Sequence, residues 1–218
     1  MNAHPAVSIV IPAYNPRFFA MALQSALAQT YERLEILVWD DSQGEEIEAI
    51  VRSFDGVGVA AVRYVRNETH LGFAGNLVKA VELASSELVK VLCDDDRLFP
   101  LCIERQAALL QAHADISLVL AQRVFSDAGN CMLPMRLSNA RFVSFDTVFK
   151  GDDILAFQDG HAFKFLGNFS AALMRRQPAL DLLRALTQDG QGFVALLDQA
   201  LFTCLMRRGD VAVIADVL

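Results

Sequence analysis

Three short polar runs follow apolar, strand-like segments in the first half of the chain. VSIVI precedes Pro12-Ala13-Tyr14, LEILVW precedes Asp40-Asp41-Ser42, and LVKVLC precedes Asp94-Asp95-Asp96. If the strands are parallel, their carboxyl ends meet at one edge of a sheet and bring two groups of carboxylates together. Carboxylates at close range repel one another unless a cation or hydrogen-bond donors compensate, and their oxygens suit Mg²⁺ or Mn²⁺.

Each of these residues also has a purely structural interpretation. An aspartate after a strand commonly caps a helix or a turn, and this is the simpler account of Asp40 taken alone. Three consecutive carboxylates are more than a cap requires. Tyr14 is either an aromatic residue packed on the sheet edge or a stacking platform for a flat ring.

The elements that must position these residues alternate along the first 120 residues. Apolar runs predict strands, and helical spacing of apolar residues predicts the helices between them. The strands are apolar on both faces, which indicates an α/β fold: a mostly parallel sheet flanked by helices on both faces. The predicted strands are 7–11, 34–39, 57–65, 88–93 and 116–125, and the predicted helices are 18–29, 45–54, 72–84 and 101–113.

The second half of the chain is less regular. Residues 130–165 combine Gly, Asp and Pro with scattered aromatics, which predicts irregular structure. Beyond them we predict a strand at 170–174, helices at 178–186 and 193–207, and a last strand at 210–214.

Length and composition set the class of protein. The 218 residues suit one domain, and 54% hydrophobic with 21% charged residues excludes intrinsic disorder. The net charge of −7 argues against a general nucleic-acid binder.

Four cysteines without a CxxC pair indicate reduced thiols of a cytosolic protein. Without a signal-peptide pattern or about 18 consecutive apolar residues, we expect a cytoplasmic protein without a transmembrane segment, and a peripheral membrane contact stays open.

The polar runs also resemble a known family. VSIVIPAYN, LEILVWDDS, LGFAGNLVKAVELA and VKVLCDDDRLFP, in this order over residues 6–110, resemble a family 2 glycosyltransferase of the Rossmann-like GT-A fold. LLDQALFTCLMRRGDVAVI resembles the acidic motif, helix and strand that end the pattern in that family. The resemblance implies a single domain over 1–218, with a nucleotide-binding half of about 1–120 and an acceptor-side half of about 121–218.

Carried over position by position, the resemblance implies roles for individual residues. Tyr14 would lie against the base, Asp41 would accept a hydrogen bond from the base, and Asp94 would contact the ribose. His70 and Asn76 would lie near the nucleotide, although a surface-turn histidine and a helix-surface amide are alternative interpretations. The implied nucleotide-sugar site comprises Pro12, Ala13, Tyr14, Asp40, Asp41, His70, Asn76, Asp94 and Asp95, and the implied metal ligands are Asp95 and Asp96.

The sequence departs from the family pattern at two positions. Cys93 stands where many relatives have the first carboxylate of an Asp-x-Asp-Asp motif, and Leu197 stands where the late motif usually has Glu. Asp198 itself is retained eleven residues before Gly209, which fits the family spacing. The departure at Cys93 bears on the assignment of the metal ligands, whereas the departure at Leu197 leaves the aspartate of the late motif in place.

The resemblance implies an inverting, metal-dependent hexosyltransferase that uses Mg²⁺ or Mn²⁺ and a nucleotide-diphosphate sugar, UDP-type above all. The acceptor would be a carbohydrate or a lipid-linked molecule in bacterial polysaccharide or glycan assembly, and Asp198 would be the general base. A catalytically weak nucleotide-sugar-binding module with the same fold is the alternative. A phospho-accepting signalling domain is disfavoured, because the fifth and last predicted strands supply no lysine at their ends.

Overall fold

The strand β1 (Val7–Ala13) lies inside an eight-stranded sheet in the computed structural model, which describes residues 4–58, 60–129, 131–134, 141–161, 168–188 and 196–218. All seven residues of β1 are buried, as expected for an apolar strand in a sheet that is covered on both faces. The other strands are β2 (Leu34–Asp40), β3 (Val62–Arg66), β4 (Leu88–Val91), β5 (Ile116–Gln122), β6 (Thr147–Phe149), β7 (Ala172–Arg175) and β8 (Asp210–Val217).

Seven α-helices lie among the described residues, and they cover two separate apolar cores. The helices are α1 (Pro16–Leu27), α2 (Glu46–Ser53), α3 (Gly72–Leu83), α4 (Cys102–Ala112), α5 (Gly151–His161), α6 (Arg176–Thr187) and α7 (Leu197–Met206). One core is formed against α1, α2 and α4, and the other against α3, α6 and α7 on the opposite face of the sheet. In the described residues, no helix is both long and apolar enough to span a bilayer.

The sheet has the strand order β3-β2-β1-β4-β7-β5-β8-β6. Strand β7 pairs antiparallel with both β4 and β5, and β6 pairs antiparallel with β8, whereas the other pairs are parallel. Six strands therefore point the same way. Their carboxyl ends share one edge with the amino ends of β6 and β7, and we call this the carboxyl edge. The predicted α/β class with a mostly parallel sheet is confirmed.

The prediction of irregular structure over 130–165 is wrong for part of that segment, because β6 and α5 lie in it. Gly151, at the start of α5, was one of the residues that indicated a loop. A glycine is needed there because of close packing, since a Cβ on Gly151 would collide with the carbonyl oxygens of Met206 and Gly209. The predicted strand 57–65 also starts too early, since Gly56 and Gly58 adopt φ angles of 76° and 80° in a turn that precedes β3.

A lysine lies inside the sheet. Lys90 on β4 is fully buried, and its Nζ donates to Gln106 Oε1 at 2.8 Å. The Gln106 amide donates in turn to Ala171 O at 2.8 Å, just before β7. Burial lowers the pKa of the Lys90 amine from its ordinary value of 10.5, and Cys102 and Asp96 oppose that shift.

We expect Lys90→Met to change the pH dependence of stability. Below the folded-state pKa of Lys90 the folded protein bears the full cost of a buried charge, and above 10.5 the amine is neutral in both states. The free energy of unfolding of the variant minus that of the parent should therefore fall as pH rises through this window, by up to about 1.4 kcal/mol per pH unit.

Urea denaturation at a series of pH values measures this difference. Lys79→Met is the matched control, because Lys79 is exposed on α3 and its ion pair with Glu82 spans 3.6 Å. The control should give a nearly constant difference. A constant difference for Lys90→Met would show that Lys90 is not titrating abnormally.

Candidate active site

Asp94 fastens the loop after β1 to the end of β4. Its Oδ2 accepts hydrogen bonds from the backbone N–H groups of Tyr14 at 2.8 Å and Asn15 at 2.7 Å. The Asn15 side chain caps α1 by accepting from Arg17 N at 3.0 Å. Burial raises the pKa of the Asp94 carboxyl, and the two backbone donors oppose that shift. One carboxylate thus fixes the backbone on which Tyr14 is presented.

Asp96 makes an equivalent connection toward β7. Its Oδ2 accepts from Asn168 Nδ2 at 2.7 Å and from Ser170 Oγ at 2.6 Å, while Ser170 Oγ accepts from the backbone N–H of Cys93 at 3.0 Å. These partners precede β7 in the chain, and they reach the carboxyl edge because β7 runs antiparallel to β4. Burial raises the pKa of Asp96, and the hydrogen bond from Ser170 opposes the shift. Burial also raises the pKa of the Cys93 thiol.

Asp95 differs from its two neighbours because it is exposed. Within the described residues, no three His, Cys, Asp or Glu side chains form a group that could hold a metal ion by themselves. Mg²⁺ in proteins commonly takes one or two carboxylates and completes its shell with water and substrate phosphate oxygens. The carboxylates of Asp95 and Asp96 fit a cation of that kind, one held jointly with a diphosphate.

The adjacent pair Asp40 and Asp41 is buried at the end of β2. Asp40 accepts from Ser42 N at 2.8 Å and from the Tyr64 hydroxyl at 2.7 Å, which joins β2 to β3. The pKa of Tyr64 is raised by burial and by this carboxylate. Both carboxylate oxygens of Asp40 are therefore hydrogen-bonded within the protein, and Asp40 has a structural role at the carboxyl edge.

The Asp41 carboxylate accepts three hydrogen bonds from the start of α3 and the loop before it, and it also lies next to the His70 ring. Its Oδ1 accepts from Asn67 Nδ2 and Leu71 N, both at 2.8 Å. Its Oδ2 accepts from Gly72 N at 2.8 Å and lies 2.9 Å from His70 Nδ1. Gly72 has a φ of 71°, a conformation that favours glycine and directs this N–H at the carboxylate. The loop before α3 is thereby wrapped around one buried anion.

Asn67 and Asn76 link this carboxylate to the strands β1 and β2. Asn67 Oδ1 accepts from Trp39 Nε1 at 2.6 Å, and Asn67 Nδ2 also donates to Asn76 Oδ1 at 2.9 Å. Asn76, on α3, is buried and donates to Trp39 O at 3.0 Å and Ala13 O at 3.4 Å. The described side-chain N and O atoms that are buried all have a hydrogen-bond partner, so this polar cluster is satisfied.

Two rings face one another above the cluster. The centroids of Tyr14 and His70 are 5.3 Å apart, and the ring planes are tilted by 44°. Tyr14 is 57% exposed and the His70 side chain is half exposed, so both rings can be reached from solvent. Pro12 and Ala13, in contrast, are buried at the end of β1. Tyr14 is therefore the residue of the β1 run whose side chain is accessible to a ligand.

Asp198 lies in the first turn of α7, and its Oδ1 accepts from Gln199 N at 2.8 Å. The preceding Leu197 is buried in the core, which accounts for an apolar residue at this position. Arg123, just beyond β5, is close enough to interact electrostatically with both Asp198 and Asp96. Burial lowers the pKa of the Arg123 guanidinium, and these two carboxylates oppose the shift. Asp198 and Asp96, at the end of β4, therefore both lie near Arg123.

The structure places the sequence-predicted residues along one edge of the sheet. Four further residues join them: Asn67, Arg123, Asn168 and Ser170. In a parallel sheet, polar residues directly after a strand indicate a site at the carboxyl edge. Asn168 and Ser170 instead precede the antiparallel strand β7, so this pattern could not identify them. Asn67 follows β3 directly and could have been found by the same rule.

Comparison with known proteins gives the family. The family model described as "Glycosyl transferase family 2" matches residues 8–176. An uncharacterized protein of Mycobacterium tuberculosis is 30% identical over 185 residues, which cover 82% of this chain and 56% of that protein. The chain spans about half the length of the curated relatives it matches.

Solved structures give the fold. S. aureus TarS 1-349 in complex with UDP-GlcNAc superposes with a TM-score of 0.67 at 17% identity, over 97% of this chain and 56% of TarS 1-349. A mannosyltransferase of Pyrobaculum calidifontis in complex with GDP-Man and Mn²⁺ has a TM-score of 0.59 at 16% identity, over 98% of this chain and 58% of the mannosyltransferase. The predicted GT-A fold is confirmed.

We expect Asn67→Ala to destabilise the protein by about 2 kcal/mol, because it removes a donor to Asp41 and the acceptor of Trp39 Nε1. Chemical denaturation measures the loss. Glu68→Ala, at the next and exposed position, should change stability by less than about 0.5 kcal/mol. Equal effects of the two substitutions would contradict the importance assigned to the Asn67 amide.

Proposed function

Because the chain belongs to glycosyl transferase family 2, we propose that it transfers a hexose from a nucleoside diphosphate to an acceptor hydroxyl, with inversion of the anomeric carbon. The observation that carries the proposal is the electrostatic interaction of Arg123 with both Asp96 and Asp198. This proximity supports a candidate base that lies near the candidate donor site. The reaction needs both in one cleft, because the acceptor oxygen must reach the anomeric carbon.

The donor nucleotide is proposed to bind at the ends of β1, β2 and β4. Tyr14 offers an accessible aromatic face for the base, and Asp94 holds the backbone of Tyr14 in place. The diphosphate would extend toward Asp95. TarS is solved with UDP-GlcNAc and with UDP, and we propose a UDP-type donor for this chain as well.

A divalent cation, Mg²⁺ or Mn²⁺, would be held by Asp95 and Asp96 together with diphosphate oxygens. When bound, it would offset the negative charge that grows on the departing diphosphate. The mannosyltransferase of similar fold is solved with Mn²⁺, which supports this choice of cofactor.

Transfer would proceed as a direct displacement. The Asp198 carboxylate takes the proton from the acceptor hydroxyl, and the acceptor oxygen forms a bond to the anomeric carbon. The bond from that carbon to the diphosphate oxygen breaks, and the nucleoside diphosphate leaves with the bonding electrons. Arg123 supplies positive charge in a cleft otherwise lined by carboxylates. A carbohydrate or lipid-linked acceptor in polysaccharide or glycan assembly is the substrate class we propose.

A nucleotide-sugar-binding module with weak turnover is the second candidate. Two departures from the family pattern favour it: Cys93 replaces a carboxylate that many relatives have, and Leu197 replaces the Glu that usually precedes Asp198. The first experiment below separates the two candidates, because a binding module would show little transfer by the parent protein and little further loss in the variant.

We expect Asp198→Asn to reduce sugar transfer by about 10²–10⁴-fold, since the amide keeps the size of the side chain but cannot accept the proton. Donor affinity, measured by calorimetry, should stay within about two-fold of the parent, because the substitution leaves the proposed donor site intact. Product formation from UDP-sugars and a panel of acceptors gives the rate.

Asp152→Asn is the matched control, because Asp152 is also an acidic residue in the first turn of a helix and is exposed. The control should retain the parental rate. Both variants should keep their stability to within about 1 kcal/mol, since Asn stabilises a helix start nearly as well as Asp. Normal transfer by Asp198→Asn would remove Asp198 from the mechanism.

The cation gives a further prediction. UDP should bind at least ten-fold more tightly with Mn²⁺ than with a chelator, because the diphosphate and Asp95 share the ion. Asp95→Ala should abolish most of this difference and leave the chelator value unchanged. Asp94→Ala should weaken binding under both conditions, since it releases the backbone of Tyr14 and Asn15. Equal affinity of the parent with Mn²⁺ and with chelator would contradict a metal role for Asp95.

A further inference from the structure

We propose that Gln106 is a positioning residue for the cation site, because its buried amide holds β7 between β4 and β5 and thereby sets the segment 168–171 that fixes Asp96. The inference rests on the cation-assisted transfer proposed above. It assigns a role in the reaction to a side chain that lies on α4 and has no exposed surface.

Gln106 connects three strands from one position on α4. Its Oε1 accepts from Lys90 Nζ on β4 at 2.8 Å. Its Nε2 donates to Val119 O on β5 at 3.3 Å and to Ala171 O, directly before β7, at 2.8 Å. Lys90, Leu173 and Val119 are register partners across β4, β7 and β5. The amide therefore spans the row of the sheet in which the antiparallel strand is inserted.

The surroundings of the Gln106 amide fix which way it points. Its oxygen faces two donors, Lys90 Nζ and Cys102 Sγ, the latter at 3.4 Å. Its nitrogen faces two carbonyl oxygens. A flipped amide would place oxygen against both carbonyls and N–H groups against the lysine, so the observed orientation is the one that can be satisfied. Lys90 thus directs the N–H groups of Gln106 toward the residues before β7.

The bond to Ala171 O reaches the carboxyl edge through one short turn. Ala171 ends a single turn of 3-10 helix (Phe169–Ala171), and its N–H donates to Asn168 O at 3.1 Å. Asn168 Nδ2 and Ser170 Oγ, in the same turn, both donate to Asp96 Oδ2. The position of Ala171 therefore sets the position of both donors to Asp96.

Two donors on one oxygen hold the Asp96 carboxylate in a single orientation. Outer hydrogen bonds of this kind orient metal-ligating carboxylates, and their loss commonly costs about 10–100-fold in metal affinity. Gln106 acts one bond further from the cation. Without its amide, Ala171 O loses a buried hydrogen bond, and the turn that carries Asn168 and Ser170 is no longer tied to α4.

Calorimetry with UDP, in Mn²⁺ and in a chelator, tests this role. The ratio of the two UDP affinities, which we call the Mn²⁺ enhancement, should be at least about ten-fold in the parent. Gln106→Met replaces the amide by an unbranched apolar side chain of similar length, and it should reduce the enhancement to about two-fold or less. UDP affinity in the chelator should stay within about two-fold of the parent, because Asp94 still holds the backbone of Tyr14.

Two further variants test the same connection at other points. Gln106→Asn keeps the amide, but it is one methylene too short to bond to Lys90 and Ala171 O together, and it should also lose the enhancement. Ser170→Ala removes a donor to Asp96 directly and leaves α4 unchanged, so it should give the same selective loss.

Ser8→Ala is the matched control for destabilisation. Ser8 is also fully buried, and its hydroxyl bonds to Glu35 and to Ser86 N, in the amino-terminal parts of β1 and β2 and just before β4. The control should lower the thermal unfolding temperature, as the Gln106 variants should, and should keep the full Mn²⁺ enhancement. Each variant is assayed below its own unfolding transition, so that an unfolded fraction is not counted as weak binding.

The outcomes separate this role from the function on which it rests. If both Gln106 variants keep the parental enhancement, or lose UDP affinity equally in Mn²⁺ and in chelator, the positioning role is wrong while the cation site stands. A loss of enhancement in Ser8→Ala as well would show a general effect of destabilisation and would also overturn it. If the folded parent gains no UDP affinity from Mn²⁺, the proposed cation site itself fails and the role of Gln106 fails with it.

Discussion

The buried carboxylate of Asp41 is the constraint on which the nucleotide-side half of the site depends. A negative charge with 3% exposure requires compensating donors, and the chain supplies them from Asn67, His70 and two peptide groups. Meeting that requirement determines the path of the loop before α3. It also places the Asn67 amide where it bonds to Trp39 and Asn76, so that α3 is tied to the ends of β1 and β2.

The carboxylates after β4 hold the other side of the cleft. Asp94 bonds to the loop after β1, and Asp96 bonds to the residues before β7. Only Asp95 extends into solvent, between two neighbours whose bonded oxygens face protein donors. The three consecutive aspartates therefore differ in role: Asp94 and Asp96 connect neighbouring segments to the end of β4, and the exposed Asp95 is the most accessible to a ligand. The run of three aspartates is longer than a helix cap requires, yet it does not consist of metal ligands alone, because Asp94 bonds to backbone N–H groups.

The sequence predicted the parallel half of the fold well, because apolar runs and helical spacing alternate there and each strand end is marked by polar residues. It predicted Asp41 and Asp94 at one edge from that pattern, and the resemblance to the family added Asp198. It could not predict β6, whose three residues are stabilised by pairing with the distant β8, nor α5, whose first glycine signals packing rather than a loop. It also could not show which groups bond to Asp41, since hydrogen-bond partners such as Leu71 N and Gly72 N are backbone groups that nearly every residue type has.

The antiparallel strand β7 determines when the site can exist during folding. It lies between β4 and β5 in the sheet, yet Ser170 is 74 residues beyond its partner Asp96. The strands β1, β2 and β3 pair with neighbours close in sequence and can form early. The pairing of β7 with β4 requires the closure of a long loop and is expected later. Until then β4 exposes an unpaired apolar edge, which is where an incompletely folded chain is prone to associate with another. Since Asp96 gains its partners Asn168 and Ser170 only in this step, a chain in which these bonds have formed is one in which β7 has paired with β4.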